Sequence, residues 1–196
     1  MTRGRPRKFD EDEALNGAMR LFWEKGLSAT SLDELSQAMK MKRPSIYNAF
    51  GNKDEIYRKA LGRFCGQLDQ GMAETFDSMP DLREGLRAFF DRAIDVYSGT
   101  DPAMGCLMIC TAPAEAFSHP EVGEDLRSLI ARLDRGFARR LRRAQKENAF
   151  PADGSPELTA SLFQATLQTV ALRARTGSSK QALRKIAFFA VERLTA

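Results

Sequence analysis

Apolar residues recur at helical spacing along nearly the whole chain, and this regularity restricts the fold more than any other feature of the sequence. Leu15, Ala18 and Phe22 follow one another at intervals of three and four residues, which is the spacing of one buried helix face. The alternation of apolar and polar residues that is typical of a half-buried strand is absent. With 43% hydrophobic residues, the chain has ample material for a buried core. The sequence therefore predicts an all-α fold.

The N-terminal part of the chain contains the start and stop patterns of three short helices. The first helix is expected to end at Gly26, and Ser31 with Glu34 has the spacing of a capping box that opens the second. The third is predicted from about Arg43 to Phe50, with Pro44 in its first turn, where a missing N–H needs no partner. A short capped helix, a tight turn and a second short helix are the parts of a helix-turn-helix.

Longer helices are predicted after this head. One begins at Asn52 and runs to about Asp77, and an apolar segment over residues 105–117 is expected to break at Pro113. The remaining helices are predicted at about 81–97, 121–148, 156–175 and 180–194. The expected organisation is a flexible basic arm over residues 1–8, a helix-turn-helix head over 9–55 and a helical body over 56–196.

The third helix of the head carries residues suited to DNA. In a helix-turn-helix the second helix lies in the major groove and presents its N-terminal residues to base edges. Arginine can fork onto guanine and asparagine can pair with adenine, whereas hydroxyl and ammonium groups suit phosphates. The side chains expected at the DNA are Lys42, Arg43, Pro44, Ser45, Tyr47, Asn48 and Lys53. Ile46 and Phe50 are expected in the core. An ordinary surface helix with a polar outer face would show the same periodicity, so this pattern alone leaves both interpretations open.

The N-terminal arm is a second indication of DNA binding. Arg3-Gly4-Arg5-Pro6-Arg7 resembles the core of an AT-hook, an extended peptide that lies in a narrow minor groove. Glycine lets the backbone approach the groove floor, proline keeps the peptide extended, and arginine is attracted by the negative potential of A·T tracts. Arg3, Arg5 and Arg7 are therefore predicted minor-groove contacts. A flexible basic tail without a partner is the alternative.

Two stretches of the head together resemble the TetR/AcrR family of regulators. They are Thr30-Ser31-Leu32-Asp33-Glu34-Leu35-Ser36 and Arg43-Pro44-Ser45-Ile46-Tyr47-Asn48-Ala49-Phe50-Gly51-Asn52-Lys53. The similarity extends over about residues 9 to 61, and its most specific elements are Tyr47, Phe50, Lys53, Thr30 and the Phe22 to Gly26 close of the first helix.

The resemblance implies an all-helical homodimer that binds a palindromic operator, with repression as the favoured outcome. It places Thr30, Ser31, Tyr47 and Lys53 on phosphates and Arg43, Pro44, Ser45 and Asn48 at base edges. Lys40 departs from the family, which commonly has glycine in this turn. A lysine in a left-handed conformation there would cost on the order of 1 kcal/mol.

For the body, the resemblance implies an effector pocket among the middle helices and a dimer interface made by the last two. Apolar and polarisable side chains expected to line the pocket are Phe89, Phe90, Tyr97, Met104, Cys106, Met108, Cys110, Phe117 and Phe137. The expected interface residues are Leu158, Leu162, Ala165, Thr169, Leu183, Ile186, Ala187, Ala190 and Leu194. Ordinary core packing within one subunit is the alternative for both sets. The resemblance implies that the effector is a small molecule.

The cysteines allow three interpretations. Cys106 and Cys110 lie one helical turn apart, with His119 nearby in sequence. They could be small buried apolar residues, thiols that sense oxidants or electrophiles, or metal ligands together with His119. The sequence predicts that the chain binds no metal and no cofactor.

Other classes of protein fit the sequence less well. The chain has one histidine and no phosphate-binding loop, metalloprotease motif or serine elbow, so no enzymatic activity is expected. The sequence contains no run of about 18 apolar residues, which is the length that would predict a membrane span. The three cysteines do not form the disulfide framework of a secreted protein. The expected location is therefore the cytoplasm. A constitutive architectural protein that binds A·T-rich DNA remains the rival from another class.

Overall fold

The computed structural model describes residues 10–196, and within them every regular element is helical. The elements are α1 (Glu11–Lys25), α2 (Leu32–Ala38), α3 (Arg43–Phe50), α4 (Lys53–Met72), a π-helical turn (Ala73–Asp77), α5 (Leu82–Tyr97), α6 (Leu107–Glu115), α7 (Pro120–Lys146), α8 (Pro156–Arg175) and α9 (Lys180–Leu194). The predicted all-α fold is confirmed.

The described chain divides into two compact units after Arg63, inside α4. The boundary predicted from the sequence, after residue 55, lies earlier in the same helix.

In the first unit, side-chain caps fix where the helices begin. The Asp10 carboxylate accepts the backbone N–H of Asp12 at 2.8 Å at the start of α1. Ser31 and Glu34 form the predicted capping box, with the Ser31 N–H donating to the Glu34 carboxylate at 2.9 Å. Asn52 accepts the Glu55 N–H at 2.9 Å at the start of α4. Because these caps satisfy backbone donors that the helices leave unpaired, they set the helix boundaries.

The core of the first unit is built from one face of each of its helices. Phe22 of α1 packs edge-to-face on Tyr57 of α4, with ring centroids 5.1 Å apart, and Leu35 of α2 and Ile46 of α3 are buried beside this core. Gly17 lets α1 and α2 approach closely, since a Cβ atom there would lie 2.1 Å from the Ala38 carbonyl oxygen.

The turn between α2 and α3 contains the departure noted in the sequence. Lys40 has a φ of 53°, so a non-glycine residue does occupy a left-handed conformation here. Its ammonium forms a salt bridge with Glu13 of α1 at 2.7 Å, and the Met41 carbonyl accepts the Ser36 hydroxyl at 2.5 Å. These contacts hold the turn in spite of its strained residue.

The second unit is centred on an aromatic cluster contributed by four helical segments. Rings of neighbouring members lie 5.0 to 6.2 Å apart, and the members are Phe76, Phe89, Phe90, Phe137 and Phe163. Such offset and edge-to-face contacts stabilise the core beyond simple burial.

One helix differs from its prediction. The break expected at Pro113 is wrong, because α6 continues through Pro113 to Glu115. Thr111, Ala112 and Glu115 are buried along this helix, so tertiary packing outweighs the lost proline N–H.

Candidate functional site

The outer face of α3 is a continuous polar surface on a small buried base. Ile46 and Phe50 are 1% and 5% exposed, and they anchor the helix in the first unit. The opposite side carries exposed side chains, with Tyr47 at 45%. The exposed residues are Lys42, Arg43, Pro44, Ser45, Tyr47 and Asn48. The structure therefore brings together all six residues that the sequence predicts at the DNA on this helix.

Arg43 starts this helix and is held by a carboxylate. Its guanidinium forms a salt bridge with Asp33 of α2, and its side chain is 50% exposed. Surface ion pairs of this kind contribute about 0 to 1 kcal/mol, so a guanine edge or a phosphate can replace the carboxylate at little cost. The N-terminal end of α3 thus offers a guanidinium, two hydroxyls and an amide to a ligand.

The start of α2 differs from what the family resemblance implies. Thr30 is 2% exposed, and its hydroxyl donates to the Gly26 carbonyl at 2.6 Å. A hydroxyl has one proton to donate, so the predicted phosphate contact by this side chain is not available in this conformation. Ser31 is exposed, but its hydroxyl is 2.7 Å from the Glu34 carboxylate. A phosphate at Ser31 would have to compete with Glu34.

Lys53 is also engaged within the first unit. Its ammonium donates to the carbonyl oxygens of Leu27 and Thr30, both at 3.0 Å, and the residue is half-buried. The lysine ties the start of α4 to the loop after α1. An ammonium has three protons, so one remains for a phosphate. The predicted arm residues Arg3, Arg5 and Arg7 lie outside the described residues.

The second unit contains a cavity of about 400 Å³ between α4 and α5. Its walls are Phe64, Gln67, Leu68, Gln70, Gly71, Phe89, Arg92, Ala93 and Val96. The volume lies within the range of about 300 to 1,000 Å³ typical of small-molecule sites.

The predicted pocket residues are distributed differently. Phe89 lines this cavity, but Phe90, Tyr97, Cys106, Met108 and Phe137 are buried core residues, none of them more than 1% exposed. Met104 and Cys110 are half-buried and do not line the cavity. Phe117 is 98% exposed, so its assignment to the pocket is wrong for this chain on its own.

The cavity walls contributed by α4 were missed by the sequence analysis. Phe64 and Leu68 have the ordinary spacing of a buried helix face, and Arg92 does not stand out among the arginines of the sequence. No local pattern marks these residues, because the cavity lies between two helices that are separate in the sequence.

Burial makes the cysteine thiols less acidic than usual. Burial raises the pKa of the Cys106 thiol to about 12, although backbone N–H groups at the start of α6 oppose the shift. Burial also raises the pKa of the half-buried Cys110 thiol, while the Arg175 charge lowers it. Cys65 is buried, and its pKa is raised for the same reason. A raised pKa leaves little thiolate near neutral pH, and the thiolate is the reactive form.

Residues 10–196 show neither a metal site nor a membrane span. Within residues 10–196, no group of three or more His, Cys, Asp or Glu side chains is arranged to hold a metal ion, and Cys106, Cys110 and His119 are not brought together as one. None of the helices in the same range is both long and apolar enough to cross a membrane.

Helix α8 carries an exposed apolar stripe. Leu158, Leu162 and Leu172 are 70%, 51% and 51% exposed. Ala165 and Thr169 lie between them on the same side of the helix and are also exposed. On α9, Phe189 is 63% exposed. Exposed large apolar residues grouped in this way mark an interaction surface.

The predicted interface residues fall into three groups by exposure. Leu158, Leu162, Ala165 and Thr169 are in the exposed stripe, and Ile186, Ala190 and Leu194 are half-buried on α9. Leu183 and Ala187 are 0% exposed, so they pack inside their own subunit and their assignment to the interface is wrong. Leu172 and Phe189 were missed, although Leu172 continues the spacing of the α8 residues.

Comparison with known proteins agrees with this architecture. The family model described as "Bacterial regulatory proteins, tetR family" matches residues 14–60. The model described as "Tetracyclin repressor-like, C-terminal domain" matches residues 83–188.

Individual relatives extend over almost the whole chain. The HTH-type transcriptional repressor ComR of Escherichia coli (strain K12) is 29% identical over 95% of this chain and 89% of its own length. A solved structure of the TetR family transcriptional regulator CifR, a cysteine-substituted variant in complex with a 26-base-pair operator DNA, is 29% identical with a TM-score of 0.88, and the match covers 96% of this chain and 98% of that one. A TetR-family regulator from Agrobacterium tumefaciens shares the fold, with a TM-score of 0.84 at 22% identity over 94% and 97% of the two chains.

The two matched regions include the polar face of α3 in the first unit and α5, one of the two helices that line the cavity, in the second. The chain belongs to the TetR family of bacterial transcriptional regulators.

Proposed function

We propose that this regulator represses transcription by binding a palindromic operator as a homodimer and that a small molecule in the body releases it. The observation that carries the proposal is the polar face of α3, where six neighbouring side chains are exposed above two buried anchors. The relative CifR was solved on operator DNA, and this supports the same use of the face here. A protein that acts on chromosomal DNA works in the cytoplasm.

The exposed stripe on α8 and α9 supports the homodimer. One recognition helix reads only a few base pairs, and a two-fold dimer reads two half-sites. Pairing the stripes of two copies would remove Leu158, Leu162, Leu172 and Phe189 from water, which is favourable by about 25 cal/mol per Å² of apolar area.

The cavity supports a ligand response. Helix α4 begins in the unit that carries α3 and lines the cavity with Phe64, Leu68 and Gly71. A ligand would favour the dimer form in which the spacing of the two DNA-binding heads does not fit the operator. It would then lower the affinity for the operator by the same factor by which the operator lowers the affinity for the ligand.

The experiment that tests DNA recognition is selection of binding sites from a random duplex pool, followed by footprinting. The selected sequence is expected to be a short inverted repeat. Arg43→Ala and Asn48→Ala should each cost about 1–3 kcal/mol of affinity and relax the preference at one position of each half-site. Arg135→Ala, which removes an exposed arginine from α7, is the matched control. Uniform binding to A·T-rich DNA without a palindrome would favour the architectural alternative.

A second candidate function is a response to electrophiles through Cys110. The observation that favours it is that Cys110 is the half-buried member of the cysteine pair and feels the Arg175 charge. Cys110→Ser should then abolish release of DNA by an electrophile such as N-ethylmaleimide, whereas Cys106→Ser should not. Release that persists in Cys110→Ser would eliminate this candidate.

A further inference from the structure

The cavity between α4 and α5 has an apolar floor. Phe64, Phe89 and Ala93 are 1%, 2% and 3% exposed, and they line its inner part. An apolar body of modest size, such as a fused aromatic ring or a short acyl chain, would bury its surface against them.

The mouth of the cavity is polar and carries a cation. Gln67 and Gln70 are exposed there. Among the described residues that form the wall, Arg92 is the charged one. Gly71 makes room for it, because a Cβ atom at residue 71 would lie 3.3 Å from the Arg92 Cδ and Nε atoms. The guanidinium can therefore lie across α4 at the entrance.

The Arg92 guanidinium is already paired with a carboxylate of the protein. Glu74 forms a salt bridge with Arg92, and both side chains are close to half exposed. The Gln70 amide also donates to Glu74, at 2.7 Å. Glu74 lies on the π-helical turn that follows α4, and π-helical turns inside helices are frequently found at functional sites.

The ion pair stands where two spaces meet. An open groove of about 670 Å³ lies between the π-helical turn and α5, and its walls include Glu74 together with Arg92 and Val96, which it shares with the cavity. Glu74 can therefore turn toward this groove and leave Arg92 to another anion without disturbing the apolar floor.

We propose that the cavity binds a small amphiphile with an apolar body and an anionic group, a carboxylate in the simplest case, and that this anion replaces Glu74 on Arg92. This inference rests on the proposed ligand response and names the chemical class of the ligand. Arginine binds carboxylates through two parallel N–H donors, so the exchange preserves the pairing of the guanidinium.

Cationic and neutral ligands fit the site less well. Glu74 is already bonded by Arg92 and Gln70. The carboxylates of Asp91 and Asp95 in the groove are paired with Arg184 and Lys180 at 2.5 and 2.6 Å. A cationic ligand would have to displace one of these partners and leave Arg92 without gaining an anion. A neutral ligand could accept one N–H of Arg92 through a carbonyl, but it could not replace the negative charge of Glu74.

Calorimetric titration of the full-length protein tests the class of ligand. The probes are 2-naphthoate and its neutral counterpart 2-naphthamide. The variants are Arg92→Gln, Glu74→Gln and the control Arg87→Gln, which removes an arginine of the same helix and similar exposure that pairs with Glu192. Each variant is first checked for native helicity and thermal midpoint.

Substitutions of the two partners of the ion pair should change the affinity for naphthoate in opposite directions. Arg92→Gln should weaken naphthoate binding at least about tenfold, the scale of a hydrogen bond to a charged group. Glu74→Gln should tighten it several-fold, because a competing anion is removed. Arg87→Gln should leave it unchanged, and the binding of naphthamide should change much less than that of naphthoate in the Arg92 and Glu74 variants.

The proposal is overturned if the native protein binds naphthoate no better than naphthamide, or if Arg92→Gln and Arg87→Gln behave alike. It is also overturned if Glu74→Gln weakens binding as Arg92→Gln does, since that would indicate a purely structural ion pair. Fluorescence anisotropy with the selected operator separates the two levels of inference. Arg92-dependent binding that leaves the operator bound would contradict the ligand response, whereas release by a molecule that ignores Arg92 would contradict the anionic class alone.

Discussion

At the scale of single residues, the packing of the first unit depends on a glycine, where any side chain would be too large. Gly17 faces the Ala38 carbonyl at the end of α2, and the space between them is too small for a methyl group. The atom in the way belongs to the backbone of a short helix, so it cannot swing aside as a flexible side chain could. The distance between α1 and α2, and with it the position of the turn that leads to α3, is set here.

Gly17→Ala should destabilise the first unit by about 1–3 kcal/mol through overpacking. Gly62→Ala is the matched control, because a Cβ atom at this helical glycine meets nothing within 4 Å. It should stabilise α4 by about 0.5–1 kcal/mol. Urea unfolding followed by the fluorescence of Trp23, the single tryptophan, measures both. Equal effects of the two substitutions would show that α1 and α2 are not held by this contact.

At the scale of secondary-structure elements, α2 is joined to α1 through its own cap. Glu34 closes the capping box with Ser31 and also pairs with Lys25 near the end of α1 at 2.5 Å. The hydrogen bond from Lys25, then those from the Ser31 backbone and hydroxyl, lower the pKa of Glu34 from 4.5 to about 2. The Glu34 carboxylate thus caps the start of α2 and also joins α2 to α1.

This pKa predicts an acid-sensitive first unit. Since the folded pKa lies below the unfolded value, the stabilisation from Glu34 is complete above about pH 4.5 and is lost as the pH falls toward about 2. Glu34→Gln should lower the thermal midpoint at neutral pH and flatten the decline over that interval, measured by Trp23 fluorescence. Glu124→Gln, an exposed glutamate on α7, is the control. An unchanged pH profile in Glu34→Gln would assign the acid sensitivity to other groups.

The apolar stripe on α8 and α9 leads to a prediction about assembly. The double variant Leu162→Glu with Phe189→Glu should convert the proposed dimer into a monomer, because pairing of the stripes would bury carboxylates without cationic partners. Sedimentation equilibrium measures the mass. Phe117→Glu, at a still more exposed aromatic residue outside the stripe, should leave the mass unchanged. A double variant that stays dimeric would place the interface elsewhere.

Sequence patterns predicted the bounds of most helices but few of the residues that line the cavity. The bounds of α3, α8 and α9 were predicted well because serine or proline residues mark their first turns. Proline gave the wrong end for α6, since burial of Thr111 and Ala112 outweighs one lost backbone bond. The α4–α5 cavity depends on how two helices pack together and on which arginine pairs with which glutamate, and neither is visible as a periodic pattern in the sequence.

At the scale of the whole molecule, basic residues occur on both units and serve different ends. The N-terminal arm is predicted to add phosphate or minor-groove contacts to those of α3. Arg139, Arg142 and Arg143 form a comparable cluster on α7 in the second unit. Arg142 and Arg143 in that cluster pair with Glu157 and Glu147.

Replacing Arg3, Arg5 and Arg7 by glutamine should weaken operator binding and flatten its salt dependence, by about 0.9 in the log–log slope for each lost phosphate contact. Anisotropy titrations over a range of salt concentrations measure the slope. Replacing Arg139, Arg142 and Arg143 by glutamine changes the net charge equally and should leave the slope almost unaltered. If both triple variants shifted the slope alike, the effect would come from net charge and not from the arm.

The division of labour within α3 has an evolutionary consequence. Ile46 and Phe50 hold the helix, while the exposed positions contribute nothing to the core. Substitutions at such surface sites usually change stability by no more than about 0.5 kcal/mol. A duplicated gene could therefore acquire a new target sequence through a few changes on this face without losing its fold. Because the exposed positions of α3 are independent of the core, they could also be substituted to direct the protein to a chosen promoter.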